Sequence, residues 1–317
     1  MPTRIPQIII PHIRYCAVGC AYIQASRYHK TNKHQQVKHL YYCCIGLLLG
    51  VTGCQGQSAS LPTSETNDST TIQAAVPAPL VYDTSSKVIH IFVALCDNTY
   101  QGIVPVPAKI GNGQDPNNNL YWGCGYGIRT YFKKSAEWKL LSTHKIDSTI
   151  LERVVFKHTQ KNIYLIADAW NGKYIEACTD AFLSGSCGKM KDTVHVGQTI
   201  IGAAGNAQML AYIGHDGLMD FQLPDTYRNT DSITRDIIIL ACYSKSYFSP
   251  LLQDAGVRPL VWTTGLMAPE AYTVHDAISG YVKNESVESI RSKAALAYSQ
   301  YQKCSEKAAR NLLVSGF

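Results

Sequence analysis

Two stretches decide the fold: AQMLAYIGHDG at residues 207–217 and DIIILACYS at residues 236–244. Each opens with a short apolar run and closes on turn-forming or polar residues. Such a run reads as a strand buried on both faces, the habit of parallel sheets. Working outward, three further runs share that character: VIHIFVAL at 88–95, NIYLIADAW at 162–170 and PLVWTT at 259–264. Between and after them, helices are predicted over 172–183, 247–255, 269–282 and 286–301, and in the second half of 120–141. Gly256 is placed to stop the helix at 247–255. In the 286–301 segment Val287, Ile290, Ala294, Ala297 and Tyr301 share one face, Ser286 caps the start and Glu288 suits the first turn. Strands alternating with helices predict an α/β fold with a mainly parallel sheet covered on both faces. In such sheets reactive groups stand just past the carboxyl ends of the strands.

Past two of those ends stand His215 and Cys242. A histidine and a cysteine at one edge of neighbouring strands suit thiol chemistry: the sulfur attacks and the imidazole carries a proton to the leaving group. Backbone N–H groups at the two turns would hold the developing oxyanion, and the glycine beside the histidine lets backbone approach closely. The plainer roles stand beside these. A cysteine ending an apolar strand serves as a small buried hydrophobe, and a histidine after a strand as a satisfied polar group. Ser244 is a weaker nucleophile candidate. His90, His144, His158, His195 and His275 have no paired context and read as structural or solvent-exposed. His215 and Asp216 with Asp220 give three metal ligands on one loop without a distant fourth, and no CxxC occurs after residue 54. Neither a metal nor a cofactor is therefore expected.

The two blocks, Met209–Ile213 before His215 and Ile237–Leu240 before Ala241-Cys242, resemble the signature of the caspase–gingipain–legumain group of cysteine peptidases (clan CD) and the related CHAT domains. GVRPLVW at 256–262, the helix with Tyr281, the Ala-rich helix through Tyr298 and the opening strand at Val88–Asp97 extend the resemblance over about 220 residues. The resemblance implies a caspase-like three-layer α/β/α sandwich. It further implies a cysteine peptidase acting on peptide or protein, with Cys242 as nucleophile, His215 as general acid/base and the Asp216 or Gly217 amide as oxyanion donor. The chain departs from the pattern in three ways: Asp216 interrupts His-Gly, only 27 positions separate His215 from Cys242, and no processing site or typical specificity loop is visible. A caspase-like body that has lost catalysis and binds a partner is the alternative.

By the same resemblance the primary pocket falls at Asp97, Asn98, Trp262, Thr263, Thr264 and Glu270. A carboxylate of Asp97 or Glu270 in that pocket would favour a basic substrate residue. Both acids equally suit capping or solvated positions. The loop at 101–119 with the stretch Tyr121–Gly127 reads as a rim or lid, or as an ordinary long surface loop.

The chain has 317 residues, 46% of them apolar and 16% charged, which excludes a disordered polar chain. It carries 29 basic and 23 acidic residues. Arg4, Arg14, Arg27, Lys30, Lys33 and Lys38 all lie in residues 1–53, which have no Asp or Glu, so the remainder holds 23 of each. The folded part is neutral and gives a nucleic-acid partner no electrostatic footing. LYYCCIGLLLGVT at 40–52 is too short to span a bilayer and suits the apolar region of a signal peptide. Val51-Thr52-Gly53-Cys54 resembles a bacterial lipobox, which implies lipidation of Cys54, a membrane anchor and, with Gln55 following, the outer membrane of a Gram-negative bacterium. Residues 1–53 are thus expected to be a leader, with 1–36 a mis-assigned start or discarded extension. Residues 54–80 form a polar tether and 81–317 the globular body. Cys96, Cys124, Cys178, Cys187, Cys242 and Cys304 remain in the body, and Cys178 and Cys187 are near enough in sequence to pair.

Overall fold

The computed structural model describes residues 81–317, so the leader, the tether and Cys54 lie outside the described residues. Among the described residues ten strands are present: β1 (Lys87–Ala94), β2 (Trp138–His144), β3 (Ile150–His158), β4 (Ile163–Trp170), β5 (Lys191–Val196), β6 (Thr199–Ala204), β7 (Met209–Ile213), β8 (Arg235–Leu240), β9 (Val257–Thr263) and β10 (Leu313–Val314). The helices are α1 (Ile128–Lys134), α2 (Ile175–Ser186), α3 (Ser244–Leu252), α4 (Ala271–Val282), α5 (Val287–Gln302) and α6 (Glu306–Leu312). Eight strands form one mixed, mostly parallel sheet in the order β10-β9-β8-β7-β1-β4-β3-β2, while β5 and β6 form a separate hairpin. The five strands expected from sequence are the parallel ones, β9-β8-β7-β1-β4. The fold is therefore α/β.

Alternation along the central strands sends side chains into two cores. Ile89, Ile91 and Val93 of β1, with Ile238 and Leu240 of β8, meet Ile128, Phe132, Val274, Ile278, Ile290 and Ala294 of α1, α4 and α5. Phe92 and Ala94 of β1, with Ile237 and Ile239 of β8, meet Cys178, Phe182, Phe248 and Leu252 of α2 and α3. Burial on both faces explains why these strands read as unbroken apolar runs. Ser286 caps α5, its hydroxyl accepting from the Ser289 amide at 3.2 Å. The helix expected at 247–255 runs instead over Ser244–Leu252 with Gln253 as its C-cap, so Gly256, left-handed at φ +69°, turns the chain into β9 rather than stopping the helix. β1 lies at the centre, with β4 on one side and β7 on the other, so the chain reverses its direction of winding there. Ligands of open α/β sheets enter at such a reversal.

The antiparallel flank was not foreseen. The helical stretch expected in 120–141 is helical only at Ile128–Lys134. Ser135 then turns to extended backbone, and Trp138–His144 pairs with β3. Cys178 and Cys187 do not pair, and no disulfide joins the six cysteines of the described residues. Among the described residues no helix is long and apolar enough to cross a membrane.

Candidate active site

β7 and β8 run in parallel register with Ile213 opposite Leu240. His215 and Cys242 each stand two residues beyond that pair, at the same level of the carboxyl edge. The Gly214 amide donates to the Leu240 carbonyl at 3.2 Å and carries the ladder one step further. Gly214 has φ +149°, and a Cβ there would lie 2.7 Å from the Ala94 carbonyl oxygen. No side chain fits against the end of β1 at that point. Gly214→Ala is expected to cost about 1–3 kcal/mol of stability. Thermal unfolding checks this, and an unchanged Tm would contradict it.

Beyond Gly214 the chain folds into a tight 3-10 turn, Gly217–Met219. The Asp216 carboxylate caps it, accepting from the Leu218 amide at 3.1 Å, and the Asp220 amide donates to the Gly217 carbonyl at 2.8 Å. The turn returns the Asp220 carboxylate to the histidine, Oδ2 lying 2.7 Å from His215 Nε2. The same oxygen accepts from the Gly102 amide at 3.1 Å. His215 is only 7% exposed, and its carbonyl accepts from the Tyr212 hydroxyl at 2.8 Å. Asp216 is fully buried and its Oδ2 has no hydrogen-bond partner. Burial pushes this carboxyl up to about 7; the Leu218 amide opposes the shift, and the nearby charge of Asp220 adds to it.

Cys242 sits between β8 and α3. The next residue, Tyr243, is left-handed (φ 53°, ψ 26°), a conformation that non-glycine residues adopt at a cost. Its amide donates to the Gly265 carbonyl at 2.9 Å. The result is a sharp strand–turn–helix corner with the cysteine at its apex. The thiol is 6% exposed and touches the Met267 backbone, with the amide at 3.4 Å and the carbonyl oxygen at 3.6 Å. Burial pushes the thiol up to about 11; the Met267 amide opposes this and the Asp216 charge adds to it. Among the described residues the hydrogen-bond partners of the thiol are both in Met267 and that of the imidazole is Asp220. The two side chains share a level on the sheet edge without a hydrogen bond between them.

Ser244 is occupied. Its hydroxyl donates to the Ile239 carbonyl at 3.0 Å and accepts from the Thr263 amide at 2.9 Å, a structural role that uses both its capacities. Thr263 donates its hydroxyl to the Ala241 carbonyl, bracing the same corner. Trp262 faces the core of α2 and α3, with its indole N–H on the Gly316 carbonyl at 3.0 Å. Asp97 organises its own loop, accepting from the Thr99 amide (2.8 Å), the Tyr100 amide (3.2 Å) and the Gln114 side chain (2.6 Å). Asn98 makes a reciprocal pair with the Val106 backbone. The side-chain groups of the expected pocket residues Thr263, Trp262, Asp97 and Asn98 are thus engaged within the fold. Glu270 differs. It holds the N-cap position of α4 without capping it and turns instead to the Tyr272 hydroxyl at 2.9 Å and the Gln302 amide at 3.4 Å. Burial pushes its carboxyl up to about 7, with Tyr272 opposing.

A cleft of about 540 Å³ opens elsewhere on the loops, between Gln114–Asn117 and Lys145–Asp147, with Leu151 and Glu152 behind. Neither Cys242 nor His215 lines it. The left-handed Tyr243 and the Met267 cover carried no sequence signal. The Asp220 contact was open to inference from a carboxylate five residues past the histidine across a glycine turn. No group of three or more potential metal ligands occurs among the described residues. No family model matches the chain, and none of the curated proteins or solved structures compared with it matches either, so its site is read from its own residues.

Proposed function

We propose that the protein is a caspase-like cysteine hydrolase, a peptidase acting on peptide or protein, closed in the described state. The observation that carries this reading is the β7–β8 register, with His215 and Cys242 at matched positions past Ile213 and Leu240. The left-handed corner at Tyr243 supports it, since backbone strain held by its surroundings is typical of reactive turns. In this reading Cys242 attacks the scissile carbonyl, His215 moves the proton to the leaving amine, and the Gly217 amide faces the oxyanion. Glu270 is the pocket group for a basic side chain, because it alone of the expected pocket residues keeps a carboxyl raised by burial that a cation would relieve. Helices packed in two separate cores, one on each set of alternating β-strand side chains, support the three-layer sandwich. Anchoring through Cys54 in the outer membrane rests on the sequence alone.

The second reading is a caspase-like binding or scaffold module without catalysis. It is favoured by the buried, protonated thiol and by its Met267 partner in place of the imidazole. Iodoacetamide labelling of the purified protein separates the two readings. A hydrolase requires Cys242 to label faster than Cys304 and Cys96, with a pH profile that His215→Ala abolishes. Equal labelling of all three cysteines in both proteins would leave the binding module standing and overturn the hydrolase.

A further inference from the structure

His215 is held by a carboxylate that the sequence pattern of a histidine–cysteine pair does not supply. We propose that Asp220 is the positioning residue for His215. It fixes the ring proton on Nε2, leaves Nδ1 as the ring's proton acceptor, and is itself held by the Gly102 amide of the loop after β1. This deepens the hydrolase reading and rests on it for its chemistry.

Three observations converge on the carboxylate. First, Asp220 Oδ2 is 2.7 Å from Nε2. An ionised carboxylate only accepts, so the ring nitrogen facing it carries the proton and the other nitrogen keeps the lone pair. Second, the contact is built by the local chain. Asp216 caps the turn that brings Asp220 back over five residues, and a Cβ on Gly217 would press 2.5 Å from the Phe221 ring. The Asp216 insertion that interrupts the His-Gly pattern thereby gains a purpose, since it shapes the turn that carries the partner of the histidine. Third, a separate element closes on the same oxygen. The Gly102 amide lies 3.1 Å from Oδ2, and a Cβ at Gly102 would stand 2.5 Å from Oδ1. The loop after β1 therefore reaches over to the turn after β7, on the side where the winding reverses, and seats the carboxylate. Partners one shell out from a reacting group fix its tautomer and ring orientation in this way.

The test is a ¹H–¹⁵N ring spectrum of the histidine-labelled full chain at pH 7, with the His215 signal assigned by His215→Gln. The expected result is a protected proton on Nε2 and a bare Nδ1. Asp220→Ala should lose that protection and slow Cys242 alkylation about 10- to 100-fold. Asp220→Asn keeps an acceptor oxygen and should restore the protected proton. Gly102→Ala should behave like Asp220→Ala, because its methyl displaces the carboxylate. A wild-type proton on Nδ1 with a bare Nε2, or a protected Nε2 proton surviving in Asp220→Ala, would overturn the proposal. The ring spectrum reads Asp220 whether or not Cys242 reacts, and the labelling of wild-type Cys242 reads the hydrolase whether or not Asp220 orients the ring.

Discussion

Replacing Asp168 by leucine is expected to cost about 3–5 kcal/mol of stability, read from urea unfolding followed by circular dichroism. Asp168 lies on β4, 1% exposed, between two partners from neighbouring strands. His90 Nε2 of β1 is 3.0 Å from one carboxylate oxygen, and Arg153 of β3 reaches both oxygens at 2.6 and 2.7 Å. The other ring nitrogen of His90 accepts from the Ala204 amide at 3.0 Å, so the ring proton sits on Nε2 and points at the carboxylate. Burial alone would raise this carboxyl; the His90 ring and the Arg153 guanidinium outweigh it and hold it down to about 2. Removing the carboxylate leaves a largely buried guanidinium whose remaining ion-pair partner is Asp192, at 3.7 Å. The double variant Asp168→Leu, Arg153→Met should recover much of the loss, because an apolar pair does not strand a charge. A single-variant loss below about 1 kcal/mol would contradict the account, being the worth of an ordinary surface pair. The lowered carboxyl also fixes a sign. Its stabilisation is present above the unfolded value near 3.8 and is lost as pH falls from there towards 2.

How much of this was legible in the sequence follows from which forces are local. The five parallel strands declared themselves because both faces of each are buried, so Ile237, Ile238 and Ile239 stand in an unbroken run whatever the pairing. The antiparallel flank did not. Lys139 and Lys157 face each other across β2 and β3, and the half-exposed strand pattern of 138–144 reads equally well as the tail of α1. The β5–β6 hairpin was missed for a related reason, since Lys191, Asp192 and His195 leave it only a thin apolar face. At the site, the strand-end positions of His215 and Cys242 follow from strand register and were readable. The cover over the thiol was not, because it is made by the backbone of Met267, 25 residues away, and backbone groups leave no trace in residue identity. Asp97, Asn98 and Glu270 show the converse. Their side-chain types suggested a pocket, but Asp97 and Asn98 are consumed by the long loop that they hold together. Only Glu270 remains turned towards other side chains rather than closing its own loop.

Raising the pH from about 4 to about 7 is expected to weaken the fold, the reverse of the usual behaviour of a carboxylate-rich protein. The cause is the pair of buried carboxyls beside the site. Asp216 is moved by burial from 3.8 up to about 7, and Glu270 from 4.5 up to about 7. A group whose folded value lies above its unfolded value binds its proton more tightly when folded. Its contribution is therefore complete below pH 4 and is lost as pH rises through the folded value, beyond which it levels off. At about 1.4 kcal/mol per decade, the loss is on the order of 4 kcal/mol for Asp216 and 3 kcal/mol for Glu270. Together with the acid limb set by Asp168, stability should peak near pH 4, where Asp168 is still ionised and the other two are still protonated. Urea midpoints measured from pH 3 to pH 9 give the curve. Asp216→Asn keeps the cap on the Leu218 amide and Glu270→Gln keeps an acceptor for Tyr272, yet neither can ionise. Each should flatten part of the descent and leave the protein more stable than wild type at pH 8. A wild-type curve that rises between pH 5 and pH 7, or two variants that follow its slope unchanged, would show that both carboxyls ionise normally. In that case water reaches Asp216, and the thiol beside it loses the dry surroundings that keep it protonated, while the ionised Asp216 remains as a like charge opposing the thiolate.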